Sequence, residues 1–396
     1  MSAQRHQKVD VWRVACRSPG DLSGVLTLID SGKLVLADVI AVMGKTEGNG
    51  CVNDFTREYA SAAWCQLLAP ALGCTLEQVH SRVALVMSGG TEGVLSPHFT
   101  VFTRRWLDIA DADADADTGR FSSKRLVVGI AKTRDFLPEE LGRAAQINAT
   151  AQATAEAMRD AGITDFSDVH FVQVKCPLLT ASKVSAALLR GAKPVTRDSY
   201  ESMAYSRGAS ALGVAVALGE LQRAQVDDSV VLSELHLYSS FASVSAGIEL
   251  EGNVVIVLGE ALTSRSTLRI AHTVMKDAID ALSVRTLLAG ALGLDLDLDA
   301  ALLPERVVSL LAKAEACPDG LVRQSRHTML NDSDIHATRH ARAVVGGVLA
   351  SVVGHCELYV SGGAEHQGPA GGGPVAVIVR VQNSDNVMQK PAAITF

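Results

Sequence analysis

Residues 88–92 read SGGTE, residues 245–249 read SAGIE and residues 361–365 read SGGAE, three occurrences of the pattern Ser-x-Gly-x-Glu. Apolar runs of strand character, such as VALVM before Ser88 and ELYV before Ser361, stop where the pattern begins. Working outward, each occurrence is preceded by a Ser/Thr-Arg pair at a predicted helix start: Thr56-Arg57, Ser206-Arg207 and Thr338-Arg339. Further upstream, each has a strand-like run ending in a Lys motif: GKTEGNG with Lys45, VKCPLLT with Lys175 and AKAEACPDG with Lys313. The order Lys, Arg, Ser-x-Gly-x-Glu recurs three times, which identifies an internal repeat. The Lys-to-Ser spacing differs among the three, so insertions have grown between fixed points. The fold expected is α/β, with three related units around a pseudo-threefold axis that brings equivalent residues together.

The surrounding pattern agrees with this class. Strand-like runs RLVVGIA from Arg125, HFVQV before Lys175 and NVVIVLG from Asn253 alternate with helical patterns at 56–68, 148–160, 206–221 and 337–353. The repeat phase places unit boundaries at 1–106, 124–264 and 265–381. Between the first two units, DADADAD at 111–117 reads as part of an Asp/Ala-rich linker, 107–123, and 382–396 as a tail. The tract LDLDLD at 294–299 alternates at strand period and fits a short amphipathic edge or a loop equally well.

Composition narrows the function. The 396 residues carry a net charge of -7 without a long Lys/Arg run, which leaves no electrostatic footprint for nucleic acid. Seven cysteines, odd in number and without a C-x-x-C pair, argue against a disulfide framework or a thiolate zinc site and fit a reducing cytoplasm. The N-terminus lacks a secretory apolar region, and the run 343–354 is too short and Gly-rich to span a bilayer, so a soluble protein is expected. The eleven histidines form no metal-binding spacing, and the Gly-rich stretches match no nucleotide-binding loop.

Three residue types remain as carriers of chemistry. A Ser that ends a strand before small residues stands on a tight turn where backbone N–H groups converge on an anionic oxygen; a plain solvent-facing turn is the other reading. A Lys acts as base for such a Ser only when neutral, which burial or a nearby cation brings about. Lys45, Lys175 and Lys313 stand in apolar or small-residue contexts, although the AKAEA setting of Lys313 also suits an exposed helix face. Arginines at helix starts oppose the helix dipole and suggest a polar or anionic ligand, with surface ion pairs as the alternative. In the third unit either Arg339 or Arg342, one turn later, takes this place.

The strings VMGKTEGNGCVNDFTREYA, VMSGGTEGVLSPH, HFVQVKCPLLT, YESMAYSRGASALG, RHTMLNDSDI and VSGGAEHQGPAGGGP closely resemble those of bacterial cyanuric acid hydrolases, a family that also contains barbiturases. The resemblance spans residues 9–379. It implies three α/β units with a central barrel-like strand core, helices outside, and a homotetramer. It implies hydrolytic opening of a cyclic amide, with Ser245 as nucleophile and Lys175 as its base. Lys45, Arg57, Ser88, Gly89, Arg207, Lys313, Arg339, Arg342, Ser361 and Gly362 would then bind substrate. It also implies a structural Mg ion held by the Glu315 carboxylate and by oxygens around Ala364, Gln367, Gly368, Pro369 and Gly372, and no organic cofactor. The Asp/Ala linker and the tail depart from the family pattern but touch none of these motifs.

Overall fold

The computed structural model describes residues 5–108, 123–293, 296–297 and 300–381. The DADADAD tract and the tail lie outside these residues. Of LDLDLD only Leu296 and Asp297 are described, in a turn.

Strands β1 (His6–Ala15), β2 (Val39–Thr46), β3 (Ala84–Gly89) and β4 (His98–Leu107) form one sheet in the order β1-β4-β2-β3. Strands β5 (Arg125–Lys132), β6 (Val169–Pro177), β7 (Ala242–Gly247) and β8 (Val254–Ala261) form a second, β5-β8-β6-β7. The third is built from β9 (Leu268–Met275), β10 (Val307–Ala314), β13 (Tyr359–Gly362) and β14 (Gly373–Arg380), ordered β13-β10-β14-β9, with a small hairpin of β11 (Leu321–Val322) and β12 (Ser325–Arg326) inserted. Numbered from its own first strand, each sheet has the order 1-4-2-3. Its second and third strands are parallel and its other pairs antiparallel. Even the irregularity recurs: the antiparallel ladder of the second strand slips near its start, between Val39 and Ala41, Val169 and Phe171, and Val307 and Ser309.

The strands are apolar on both faces because both are covered. Alternation along β14 makes this concrete: Val375, Val377 and Val379 pack with the outer helices, whereas Ala376 and Ile378 enter a cluster shared by all three sheets. That shared cluster also takes Met43 and Val86 from the first sheet and Ile256 and Leu258 from the second. The expected barrel is therefore corrected. The described strands form open four-stranded sheets, joined to one another by side-chain packing and isolated bridges rather than by a closed hydrogen-bonded ladder. A barrel needs strand edges to meet, and here apolar faces meet instead.

Each connection between the second and third strands carries a helix that aims an Arg inward. Phe55–Leu72 is capped by the Asp54 carboxylate, which accepts from Thr56 N at 3.1 Å. Ser199–Ala217 is capped by Asp198, which accepts from Glu201 N at 2.7 Å, and Ala337–Val353 starts at His336. Among the described residues no helix is long and apolar enough to cross a membrane.

Candidate active site

In each sheet the parallel strand pair sets a Lys directly opposite a Ser: Lys45 opposite Ser88, Lys175 opposite Ser245 and Lys313 opposite Ser361. Side chains opposite each other on parallel strands leave the same face, so register alone builds three amine-hydroxyl pairs. Ser88, Ser245 and Ser361 line one small polar pocket together with Lys175, Arg57, Arg207 and Arg342. Gly89, Ala246 and Gly362, each following one of the serines, complete much of its wall, with Gly50 and Met203.

All three lysines are at most 1% exposed, which settles the open question about Lys313: it lies on β10, not on a helix face. The Lys313 Nζ donates to Ser361 Oγ at 3.2 Å, to Gly362 O at 3.1 Å and, across to the second unit, to Val244 O at 2.8 Å. Lys45 donates to Ser88 Oγ at 3.5 Å and Gly89 O at 3.3 Å. Lys175 donates to Ala246 O at 3.1 Å and to Met87 O of the first unit at 2.7 Å. The Ser245 hydroxyl, 7% exposed by residue, makes no hydrogen bond of ordinary geometry, to its lysine or to any other group.

Burial drives all three amines toward the neutral form, because a charge there loses its hydration. Lys45 lies well below the usual lysine range, from burial and then from Arg342; Lys313 does so from burial and then from Arg207. Lys175 is pushed down only to about 8, since the Glu249 carboxylate opposes the effect of burial.

The arginines expose a feature that sequence reasoning missed. Arg342 forms a two-pronged pair with Glu92, Nε to Oε2 at 2.7 Å and an Nη to Oε1 at 2.5 Å. Arg207 pairs likewise with Glu365 at 2.7 and 2.6 Å. Arg57 lies 4.0 Å from Glu249 and donates to Ala246 O at 3.4 Å. The fifth residue of each Ser-x-Gly-x-Glu thus turns to the Arg of a neighbouring unit: Glu92 of the first holds the third, Glu365 of the third holds the second, and Glu249 of the second faces the first without a hydrogen bond. The signal was present in the repeated Glu itself, but its partner lies in another unit and no local spacing reveals it.

The structure separates the two third-unit arginines. Arg342 is 4% exposed and lines the pocket; Arg339 is 39% exposed, outside the pocket wall, and donates to Glu92 Oε1 at 3.2 Å. Arg207, expected at a helix start, is two turns inside its helix. Tyr359, fully buried and unanticipated, turns its hydroxyl toward Ser88 and Ser245 without a hydrogen bond of ordinary geometry.

Glu315 follows β10, and the segment 363–373 folds around it. Gly371 N reaches its carboxylate at 3.4 Å, while Gln367 N and Gly372 N close turns onto Ala364 O and Pro369 O, both at 2.8 Å. Gly368 N donates to Ser239 O at 2.9 Å, and the Gln367 side-chain oxygen accepts from Val244 N at 2.6 Å. Burial and then the nearby Glu365 raise the Glu315 carboxyl to about 7. Among the described residues no three His, Cys, Asp or Glu side chains cluster, and all seven cysteines are unpaired.

Set against known proteins, the description matched over residues 10–380 is that of the amidohydrolase ring-opening proteins. The chain belongs to the ring-opening amidohydrolase family. A relative in this family, the cyanuric acid amidohydrolase of Pseudomonas sp. (strain ADP), is 59% identical over 94% of this chain and 99% of its own length. The cyanuric acid amidohydrolase of Bradyrhizobium diazoefficiens is 58% identical over 96% and 100%. Among solved structures, a cyanuric acid hydrolase described as an innovation by structural concatenation superposes with a TM-score of 0.89 at 58% identity, covering 95% of this chain and all of its own. The hydrolase from A. caulinodans gives 0.84 at 47% identity, with the same coverage. This ring-opening amidohydrolase is accordingly a hydrolytic enzyme that acts on cyclic amides.

Proposed function

We propose that the protein hydrolyses cyanuric acid, with Ser245 as nucleophile and Lys175 as its base. The observation that carries this reading is the threefold register of Lys opposite Ser, with all three serines in one pocket. Three equivalent pairs and three arginines around a pseudo-threefold axis match a flat ring with three equivalent carbonyls, one for each unit. The names of the relatives support the same substrate.

Only one ring bond opens in a turnover, so the pairs divide their labour. Ser88 and Ser361, already hydrogen-bonded to their lysines, hold carbonyls, and the uncommitted Ser245 hydroxyl is free to attack. Neutral Lys175 takes the Ser245 proton as Oγ bonds to the ring carbon, and backbone N–H groups at the small-residue turns stabilise the oxyanion. Lys175 returns the proton to the ring nitrogen as the C–N bond breaks, and water then releases carboxybiuret, which loses carbon dioxide to give biuret. The absence of a Lys175–Ser245 hydrogen bond is compatible with this role, since catalytic hydrogen bonds tighten when substrate arrives.

The Glu315 surroundings fit a hard cation: one carboxylate and the oxygens around Ala364, Gln367, Gly368, Pro369 and Gly372 suit Mg. A bound cation would keep Glu315 ionised and brace the segment beneath Lys313. The family resemblance supports a homotetramer in the cytoplasm as part of the same proposal.

Parallel assays of the purified protein on cyanuric and barbituric acid test the substrate. Biuret and carbon dioxide should form from cyanuric acid at the higher kcat/KM; faster conversion of barbituric acid to ureidomalonate would identify a barbiturase, and no turnover of either a non-catalytic binding homologue.

A further inference from the structure

The three Ser-x-Gly-x-Glu motifs are alike in sequence but differ in where the Glu points. In the first and third units the carboxylate holds an Arg in a two-pronged pair, and the Gly two residues after the Ser makes room for that guanidinium. A Cβ on Gly90 would sit 2.5 Å from Arg342, and one on Gly363 2.7 Å from Arg207. In the second unit the equivalent Gly247 makes room for the Glu249 carboxylate instead, whose oxygens would lie 2.4 Å from a Cβ there. Glu249 has folded back. It stands 4.0 Å from Arg57 but 3.5 Å from the Lys175 Nζ, the one lysine of the three that forms a described ion pair.

We propose that Glu249 is a positioning residue for ring opening: it fixes the Lys175 amine and sets it apart, among three lysines in the same register, as the proton acceptor. This rests on the assignment of Lys175 and Ser245 made above. The physical argument concerns base strength. A lysine buried without a counter-charge is neutral but too weak a base to take a hydroxyl proton, whereas a carboxylate at 3.5 Å restores its proton affinity. The charged groups facing Lys175 are Glu249 from the segment after β7 and Arg57 from the helix Phe55–Leu72, and the neighbouring titratable group on its own strand, Cys176, is a thiol that burial keeps neutral.

Glu249 also has a second side. With 19% of its side chain exposed, it lines a cavity of about 1040 Å³ between that helix and the second sheet, walled by Glu58, His80, Lys132, Asp135 and Glu251. The carboxylate therefore borders this cavity as well as the Lys175 amine.

The test is the pH profile of kcat/KM for Glu249→Gln, with Glu92→Gln and Ser245→Ala alongside. Removing the carboxylate lowers the proton affinity of Lys175, so the acid limb should move down by about one pH unit or more while the plateau falls roughly tenfold. Glu249→Asp should recover part of both. Glu92→Gln should raise KM through a loosened Arg342 and leave the limb in place. An unmoved limb in Glu249→Gln, with thermal unfolding and circular dichroism confirming a folded protein, overturns the proposal. Turnover surviving in Ser245→Ala would instead overturn the nucleophile assignment, whatever the Glu249 variants do.

Discussion

Lys313 and Lys175 occupy the same ladder position in two sheets of the same topology, yet they keep different company. Lys313 spends its amine on Ser361 and two carbonyls. Lys175 spends its own on two carbonyls and a carboxylate and leaves its serine alone. The backbone of the repeat thus fixes where amine and hydroxyl stand, and in the mechanism proposed above the fold of a single Glu decides which pair holds the ring and which reacts with it.

The largest effect that can break this contrast is loss of chemistry. Ser245→Ala and Lys175→Ala should each lower kcat by roughly 10⁴-fold or more, because nucleophile and base act as a unit. Ser88→Ala and Ser361→Ala should lose roughly 10- to 100-fold in kcat/KM, mostly through KM; steady-state kinetics that reversed this order would move the reaction to another pair. Next comes Arg207→Ala, which strands the largely buried Glu365 carboxylate and should destabilise the fold by about 3 kcal/mol in denaturant unfolding. The pH profile sharpens the comparison further. Lys175 must be neutral to act, and with its amine pushed down to about 8 the wild-type kcat/KM should rise with pH and level off above that value. The smallest effect belongs to Arg339, exposed and outside the pocket wall: Arg339→Ala should change kcat/KM less than about twofold, against a large loss for Arg342→Ala.

Much of this was legible in the chain. The Lys, Arg and Ser positions stood out because insertions spared their order, and the helix 337–353 agrees with its structure at both ends. What failed did so for physical reasons. Arg207 was placed at a helix start because the Ala-rich stretch after it dominates the pattern, while the true signal, Asp198 capping Glu201 N, lies two turns upstream. Strands such as β9, LRIAHTVM, carry too many polar residues to announce themselves. The barrel-like core was an implication of the family resemblance, and what fills the centre is a cluster of Met43, Leu258 and Ile378 side chains from separate sheets. The Glu residues were visible in every motif; their partners were not, because each lies more than a hundred residues away.

Two Glu–Arg grips tie the third unit to both others, and Glu249 faces Arg57 across the remaining seam at 4.0 Å. Swinging two units apart would bare a guanidinium on one side and a carboxylate on the other, each stripped of its mate before water could replace it. Opening such a seam costs the attraction of the pair and leaves two largely buried charges without partners, so these contacts resist separation of the units around the pocket.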